Sequence, residues 1–142
     1  MDDVTLMDIA QTDVVTADRE AGVSDVLGMM HDHEVGSVVI VEDDRPTGIV
    51  TDRMIAMAMH EMDSISDAEI SEIMTQELTT IEEDRTHFDA LQTMGDEGIR
   101  RLPIVDDDGS LTGIIAFDDL IMVLGAEMSH ASDVVEQQSP RR

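Results

Sequence analysis

The segment Thr47-Gly48-Ile49-Val50-Thr51-Asp52-Arg53 returns in altered form as Thr112-Gly113-Ile114-Ile115-Ala116-Phe117-Asp118, 65 residues further along the chain. Both stretches begin with a glycine-led apolar run, which is typical of a β-strand that leads into a helix. Upstream of them the two halves align at an offset of 64, with Ile9 on Ile73, and the extra residue falls in a turn. Self-similarity over this length predicts that the chain is two copies of one unit.

Each copy shows the same series of local patterns. A short extended segment precedes an amphipathic helix, and two β-rich runs joined by an acidic turn then lead into a second helix. The extended segments are 13–16 and 77–80, the strand pairs are 38–41 with 48–51 and 102–105 with 113–116, and the acidic turns are 42–46 and 106–110. Ser24 and Thr86 are expected to cap the first helices. The predicted apolar faces of these helices comprise Val23, Val26, Leu27, Met30, Phe88, Leu91 and Met94.

These patterns predict an α/β (α+β) fold of two tandem β-α-β-β-α repeats. A unit of about 55 residues has little core of its own, so the two copies are expected to pack sheet to sheet as one pseudo-twofold module with the helices outside. The expected boundaries are 7–60 for the first copy, 61–72 for a linker helix, 73–126 for the second copy and 127–142 for a frayed tail. The cleft between the copies is the natural place for a ligand.

The composition restricts the kinds of partner. The chain has 142 residues and a formal net charge of -25, from 33 Asp and Glu against 8 basic residues that are all arginine. Such a lysine-free acidic surface is typical of halophilic proteins in a salt-rich cytoplasm, where a short Debye length screens self-repulsion. An ordinary acidic protein is the alternative. Neither nucleic acid nor an anionic membrane is an expected partner, because the arginines are too few to outweigh the acids.

Several other features exclude or disfavour function classes. The absence of cysteine excludes disulfides and thiolate metal sites. Met1-Asp2-Asp3 lacks the apolar core of a signal peptide, and no apolar run approaches the ~18 residues of a membrane span, so a cytoplasmic location is expected. His31 and His33 lie two apart, a spacing that does not favour a metal site on a helix. No paired nucleophile and base or phosphate-binding glycine loop is apparent, so an enzyme is not expected.

Short motifs recur in the same order in both copies. They are Asp13-Val14-Val15-Thr16, Gly28-Met29-Met30, 36–41, 48–53, 99–106 and Gly113-Ile114-Ile115. Together they resemble the tandem CBS domain, or Bateman module, over about residues 7–125. The resemblance implies a stand-alone regulatory module that binds an adenosyl ligand, namely AMP, ADP, ATP or S-adenosylmethionine, and requires no other cofactor. It also implies signalling by a conformational or dimer change, with a homodimer or a protein regulated in trans as the partner.

The nucleotide fingerprint of that family is broken in both copies. In the family, a glycine is followed by two apolar residues, a Thr or Ser that meets phosphate and, three positions later, an Asp that holds the ribose. A carboxylate suits this role because it can accept hydrogen bonds from both ribose hydroxyls. The first copy has Thr51 but Met54 at the Asp position, and the second has Asp119 but Ala116 at the hydroxyl position. The two departures are complementary.

The resemblance also implies composite clefts, in which the fingerprint of one copy faces the first two strands of the other. Site one would join Thr51 and Met54 to Thr79, Thr80, Ile99, Arg100 and Arg101. Site two would join Ala116 and Asp119 to Val14, Val15, Thr16, Gly36, Ser37 and Val39. Site two is expected to hold a ribose but to offer little to a phosphate, and site one is either weighted toward phosphate or degenerate. A ligand-free adaptor or dimerisation module is the alternative.

Two groups of side chains allow two interpretations each. The doublet Arg100-Arg101 either attracts an anionic ligand or pairs with a neighbouring carboxylate such as Glu97. The methionines on the helices after the fingerprints either fill the core or form an apolar dimer face that includes Met57 and Met122.

Overall fold

The computed structural model describes residues 5–138, with 132, 133 and 135–138 as backbone only. The helices are α1 (Leu6–Ile9), α2 (Val23–His33), α3 (Asp52–Glu61), α4 (His87–Glu97) and α5 (Phe117–Gln138). The strands are β1 (Thr16–Ala17), β2 (Ser37–Glu42), β3 (Arg45–Thr51), β4 (Ile81–Glu82), β5 (Arg101–Val105) and β6 (Leu111–Ala116). The predicted β-α-β-β-α order is therefore confirmed in both copies. The expectation for 1–3 lies outside the described residues.

Each copy contains one three-stranded sheet, in the order β1-β2-β3 and β4-β5-β6. The first strand of each sheet is parallel to the second, and the second is antiparallel to the third. The first strands contain two residues each: β1 includes only the last residue of the expected segment 13–16, and β4 begins just after the expected segment 77–80. Pairing begins only where Thr16 lies opposite Val39 and Ile81 lies opposite Ile104.

The core of the first copy is formed by α2, α3 and the inner faces of β2 and β3. Its fully buried side chains include Val26, Val38, Ile40, Val50 and Ile70. The N-cap of α2 is Gly22, so the expected cap at Ser24 is wrong by two positions. Leu27 lies at the edge of the apolar face and is 44% exposed.

The start of α4 determines which of its faces is buried. Thr86 caps this helix as predicted, because its Oγ1 accepts a hydrogen bond from the amide of Asp89 at 3.1 Å. With the helix fixed in this phase, His87 faces the core, and Phe88 is 62% exposed. The expected core position of Phe88 is therefore wrong by one residue.

The segment before the first copy packs in the core of the second. Leu6 of α1 is fully buried there among residues of α4, β5, β6 and α5. Gln11 then extends this contact, since its amide donates to the carbonyl of Ile114 at 2.9 Å and the amide of Ile114 donates back at 3.0 Å. The first copy as expected from the sequence, 7–60, therefore begins with residues that complete the other core.

The segment between the copies makes the reciprocal contact. Ile70 and Met74 are buried in the core of the first copy, and the amide of Thr75 donates to the carbonyl of Ile49 at 3.0 Å. This segment contains two short 3-10 helices, Ile65–Asp67 and Ile70–Glu72, so the linker helix expected at 61–72 is wrong. The two copies thus exchange their leading segments.

The fingerprint glycines lie where the exchanged segments cross the sheets. A Cβ atom on Gly48 would be 2.5 Å from Sδ of Met74 and 3.0 Å from the carbonyl oxygen of Thr75. A Cβ atom on Gly113 would be 3.3 Å from the carbonyl oxygen of Gln11. The close approach of another segment, and not an unusual backbone conformation, favours glycine at both positions, more strongly at Gly48 than at Gly113.

The last helix is longer than its counterpart in the first copy. α5 contains 22 residues and α3 contains 10. A frayed tail was expected at 127–142, but the chain is helical through Gln138, so this expectation is wrong for 127–138. Residues 139–142 lie outside the described residues. Within the described part of the chain, no helix combines the length and apolar character needed to cross a membrane.

Candidate functional site

A cleft of about 360 Å³ opens between the two copies at the position expected for site two. It is lined by Gln11, Asp13, Val14, Val15, His33, Glu34, Val35, Gly36, Ser37, Arg101, Ile114, Ala116 and Asp119. These lining residues include every residue that was predicted for site two except Thr16 and Val39. The cleft is composite as expected, because its acidic fingerprint residue comes from the second copy and most of its floor comes from the first.

Local structure holds the key side chains at this cleft. Ala116 ends β6, and Asp119 lies in the first turn of α5, where the orphan amides of a helix N-terminus favour negative charge. On the opposite wall, Gly36 immediately precedes β2 and its carbonyl accepts from the amide of Asp52 at 3.1 Å. Ser37 begins β2 beside it.

Thr16 and Val39 do not line this cleft, so both were wrongly assigned to it. Val39 is fully buried in the sheet, and its amide cannot donate to a ligand because it already donates to the carbonyl of Val15 at 3.0 Å. Thr16 lines a separate cavity of about 310 Å³ near the acidic turns, together with Thr12 and Ser110.

Arg101, which was expected in site one, lies in site two instead. Its Nη2 atom is 3.3 Å from the point where a Cβ on Gly36 would lie, so the guanidinium lies close against the backbone of this glycine. The side chain is partly buried and forms no ion pair with the carboxylates that the structure describes. The expectation that site two offers little to a phosphate is therefore corrected by a cation from the second copy.

The groups expected in site one are engaged with one another. The Oγ1 of Thr51 accepts from the amide of Met54 at 3.2 Å, and Sδ of Met54 accepts from Oγ1 of Thr75 at 3.9 Å. Thr79, the counterpart of Val15, donates its hydroxyl to Oε1 of Glu97 at 3.1 Å. These contacts leave fewer polar groups for a ligand than in site two.

Arg100 is engaged with two residues at the start of α5. Its Nη2 is 3.0 Å from Oδ1 of Asp118, and its guanidinium lies 5.1 Å from the centre of the Phe117 ring. One interpretation of the doublet was that it pairs with a neighbouring carboxylate. Arg100 does so, but its partner is Asp118 and not Glu97. Since this ion pair is exposed, its contribution to stability is small.

The remaining residues of site one are dispersed. Ile99 packs against the core of the second copy. Thr80 lines a separate groove of about 460 Å³ with Arg85, Asp89 and other residues of β4 and α4. The structure therefore brings the predicted residues together at site two and not at site one.

Several cleft residues were missed by sequence reasoning. Gln11 lies before the recognised extended segment 13–16, and Asp13 is the first residue of that segment. His33 and Glu34 end α2, and Val35 connects it to Gly36 and β2. Glu34 adopts a left-handed backbone with φ 55°, which ends the helix and turns the chain into the cleft. The position of His33, Glu34 and Val35 directly before Gly36 was the one sequence signal that could have identified these three residues. No group of three or more potential metal ligands occurs in the described residues.

Comparisons with known proteins agree with this architecture. The CBS domain family matches the chain twice, over residues 6–61 and 70–126. An uncharacterized protein of Methanopyrus kandleri is 39% identical over 125 residues, which cover 87% of this chain and 64% of that protein. The chain thus spans less than two thirds of that relative.

Two solved structures share the fold. The CBS domain pair of protein MJ0100, in complex with 5'-methylthioadenosine and S-adenosyl-L-methionine, has a TM-score of 0.79 and 24% identity over 89% of this chain and 99% of that one. The cytosolic domain of the Mg2+ channel MgtE, in complex with ATP, has a TM-score of 0.71 and 21% identity over 84% of this chain and 48% of that one.

Proposed function

The chain belongs to the CBS domain family, and from that premise we propose that it is a regulatory module that binds an adenosyl ligand at site two. The observation that carries this proposal is the open composite cleft in which Asp119 and Arg101 of the second copy face Val15 and Ser37 of the first. Relatives in fold hold adenosyl compounds, which supports the same ligand class here.

Each part of the ligand has a suitable group in the cleft. The carboxylate of Asp119 can accept hydrogen bonds from both ribose hydroxyls. The apolar side chains of Val14, Val15 and Ile114 suit the faces of an adenine ring. The guanidinium of Arg101 suits a phosphate or a carboxylate on the 5' side, because it can donate two parallel hydrogen bonds to either group.

Site one is degenerate in this proposal, so each chain binds one ligand. The contacts of Met54 with Thr75 and of Thr79 with Glu97 support this, as does the replacement of the glycine before β2 by Arg100 before β5. A cavity that must first break its internal contacts binds more weakly than one that is already formed.

Signalling requires a surface that responds to the ligand, and we assign it to the helices after the fingerprints. Met57 and Met59 on α3 are 56% and 58% exposed, and Ile121 and Met122 on α5 are 45% and 73% exposed. Asp119 lies only one turn from this part of α5. The proposed partner is a second copy, because an uncharged face on a chain of net charge -25 suits another uncharged face.

A constitutive adaptor that holds a protein partner without a small ligand is the second candidate, and the same exposed methionines favour it. In both cases the module regulates a partner in trans and catalyses no reaction itself. The lysine-free acidic surface supports a salt-rich cytoplasm as the setting.

The proposal is tested by isothermal titration of adenosyl compounds at constant high KCl, with Asp119→Ala and Asp118→Ala as a matched pair on one helix turn. Loss of the ribose hydrogen bonds should weaken binding about 10- to 100-fold in Asp119→Ala. Asp118→Ala, which removes a carboxylate outside the cleft, should bind like the wild type. Equal affinity in both variants would refute the site, and no binding of any adenosyl compound would favour the adaptor.

A further inference from the structure

A second cavity lies between the two copies, next to the acidic turns at 42–46 and 106–110. It has a volume of about 310 Å³, and we refer to it as the turn cavity. Its lining residues are Thr12, Val14, Thr16, Val41, Asp44, Ser110, Leu111 and Thr112. The amide of Leu111 donates to the carbonyl of Asp44 at 2.8 Å, so a hydrogen bond between the copies joins the two turns beside the cavity.

The turn cavity is separate from site two, although one segment of the chain borders both. Within residues 11–16, the odd-numbered residues line only site two, Thr12 and Thr16 line only the turn cavity, and Val14 lines both. Asp119 and Arg101 belong to site two alone. The described lining of the turn cavity therefore has no basic side chain for a phosphate and no fingerprint carboxylate for a ribose.

Hydroxyl groups are the main polar feature of the turn cavity, since four of its eight lining residues are threonine or serine. The hydroxyl of Thr112 donates to the carbonyl of Ile104 at 3.3 Å. Those of Thr12, Thr16 and Ser110 have no hydrogen-bond partner among the described residues. A hydroxyl both donates and accepts, so this lining matches a ligand whose own groups do the same. The three apolar lining residues suit the carbon skeleton of such a ligand.

The one carboxylate of the described lining comes from a residue in an unfavourable backbone conformation. Asp43 and Asp44 form the two-residue turn between the paired residues Glu42 and Arg45, and their φ angles are 52° and 65°. Positive φ at both positions is typical of a type I′ hairpin turn, where glycine is the usual second residue because it has no Cβ. The second acidic turn does use glycine, with Gly109 at φ 85°. Asp44 thus keeps a side chain at the cavity in a position where glycine would be less strained.

We infer that the turn cavity binds a small neutral polyol, of about five or six carbons for a cavity of this size. The carboxylate of Asp44 can accept hydrogen bonds from two neighbouring ligand hydroxyls, and the threonine and serine hydroxyls complement the others. An ammonium ligand would suit Asp44, but it has no acceptor for the hydroxyl donors of the lining. An anionic ligand is disfavoured because the flanking turns are acidic. This site is additional to site two and does not depend on the ligand proposed there.

The test is a titration of the isotope-labelled full chain with sorbitol, ribitol and ethanolamine at constant high KCl, followed by the NMR shifts of backbone amides. Sorbitol and ribitol should shift the amides of Ser110, Leu111 and Thr112 in a saturable way, with half-saturation below about 50 mM. General stabilisation by a polyol arises from exclusion from the protein surface and would not saturate. Ethanolamine should give no saturable shift at these amides.

Two variants of one turn assign the binding to the cavity. Asp44→Gly and Asp43→Gly each remove one exposed carboxylate and one left-handed aspartate, but Asp43 does not line the cavity. Because both changes relieve backbone strain, neither should lower the melting temperature. Asp44→Gly should weaken sorbitol binding at least about 10-fold, whereas Asp43→Gly should bind like the wild type. Asp119→Ala, which alters only site two, should still bind sorbitol.

Several results would refute the inference. They are the absence of saturable shifts with either polyol, saturable binding of ethanolamine alone, and an equal loss of sorbitol binding in Asp43→Gly and Asp44→Gly. Sorbitol binding that is lost in Asp119→Ala but kept in Asp44→Gly would also refute it, because the polyol would then occupy the ribose position of site two. Failure of every adenosyl compound to bind would overturn the proposed function and leave the turn cavity as a polyol site.

Discussion

Replacement of Gly48 by alanine tests whether the leading segments are exchanged between the copies. The new methyl group would lie 2.5 Å from Sδ of Met74 and 3.0 Å from the carbonyl oxygen of Thr75, both of which belong to the segment before the second copy. The thioether can move, but the backbone oxygen cannot without shifting the strand contact to Ile49. The substitution therefore forces apart two segments that the exchange holds together.

The magnitude follows from two opposing effects. Overpacking of this kind costs about 1–3 kcal/mol, and the lower entropy of the unfolded chain returns about 0.4–1 kcal/mol. The expected net loss is about 1–2 kcal/mol in the free energy of unfolding, which for a chain of this size lowers the melting temperature by roughly 3–6 °C. Urea and thermal unfolding followed by circular dichroism at constant high KCl measure both quantities.

Two other glycines provide controls. Gly95 lies in α4 with no atom within 4 Å of an added Cβ, so Gly95→Ala should stabilise by up to about 1 kcal/mol. At Gly113 the added Cβ would be 3.3 Å from Gln11, so Gly113→Ala should cost less than Gly48→Ala. If Gly48→Ala proved as stable as Gly95→Ala, the segment 70–75 would not pack on the first copy and the exchange would be refuted.

Three further predictions concern stability and assembly. Leu6→Ala should lower the free energy of unfolding by about 2–5 kcal/mol, and a loss below 1 kcal/mol in urea titration would mean that α1 is not part of the second core. His87 is buried, its Nε2 is 3.7 Å from Oε2 of Glu127, and neither ring nitrogen has a hydrogen-bond partner among the described residues. Since this contact is longer than a hydrogen bond, His87→Leu should raise the free energy of unfolding by about 1 kcal/mol. A lower melting temperature in calorimetry would contradict this. Met57→Glu with Met122→Glu should convert a dimer to a monomer in light scattering at high salt, and a monomeric wild type would refute the dimer face.

The repeat made most of the fold predictable. Two copies aligned over their length give the same element order, and the apolar runs of β2 and β5 are unambiguous because both faces of these strands are buried. The exchange was not predictable, because the match of Ile9 to Ile73 shows that the two segments are equivalent but not which core each one enters. Only the packing of side chains shows whether a leading segment enters the core of its own copy or the core of the other copy.

The site was predictable at its fingerprint and less so elsewhere. Asp119 and Ala116 follow a motif of fixed spacing, whereas Arg100 and Arg101 are adjacent and a strand sends them to opposite sides. Sequence alone could not decide which of the two arginines enters the cleft. Asp13 and Glu34 were missed as cleft residues because 33 acids make any single one inconspicuous.

Because the leading segments are exchanged, each copy completes the hydrophobic core of the other. The repeats of the sequence and the cores of the structure therefore have different boundaries. Leu6 comes before the first copy but packs in the core of the second, and Ile70 comes before the second copy but packs in the core of the first. Neither half, cut out at its repeat boundary, contains all of its own interior.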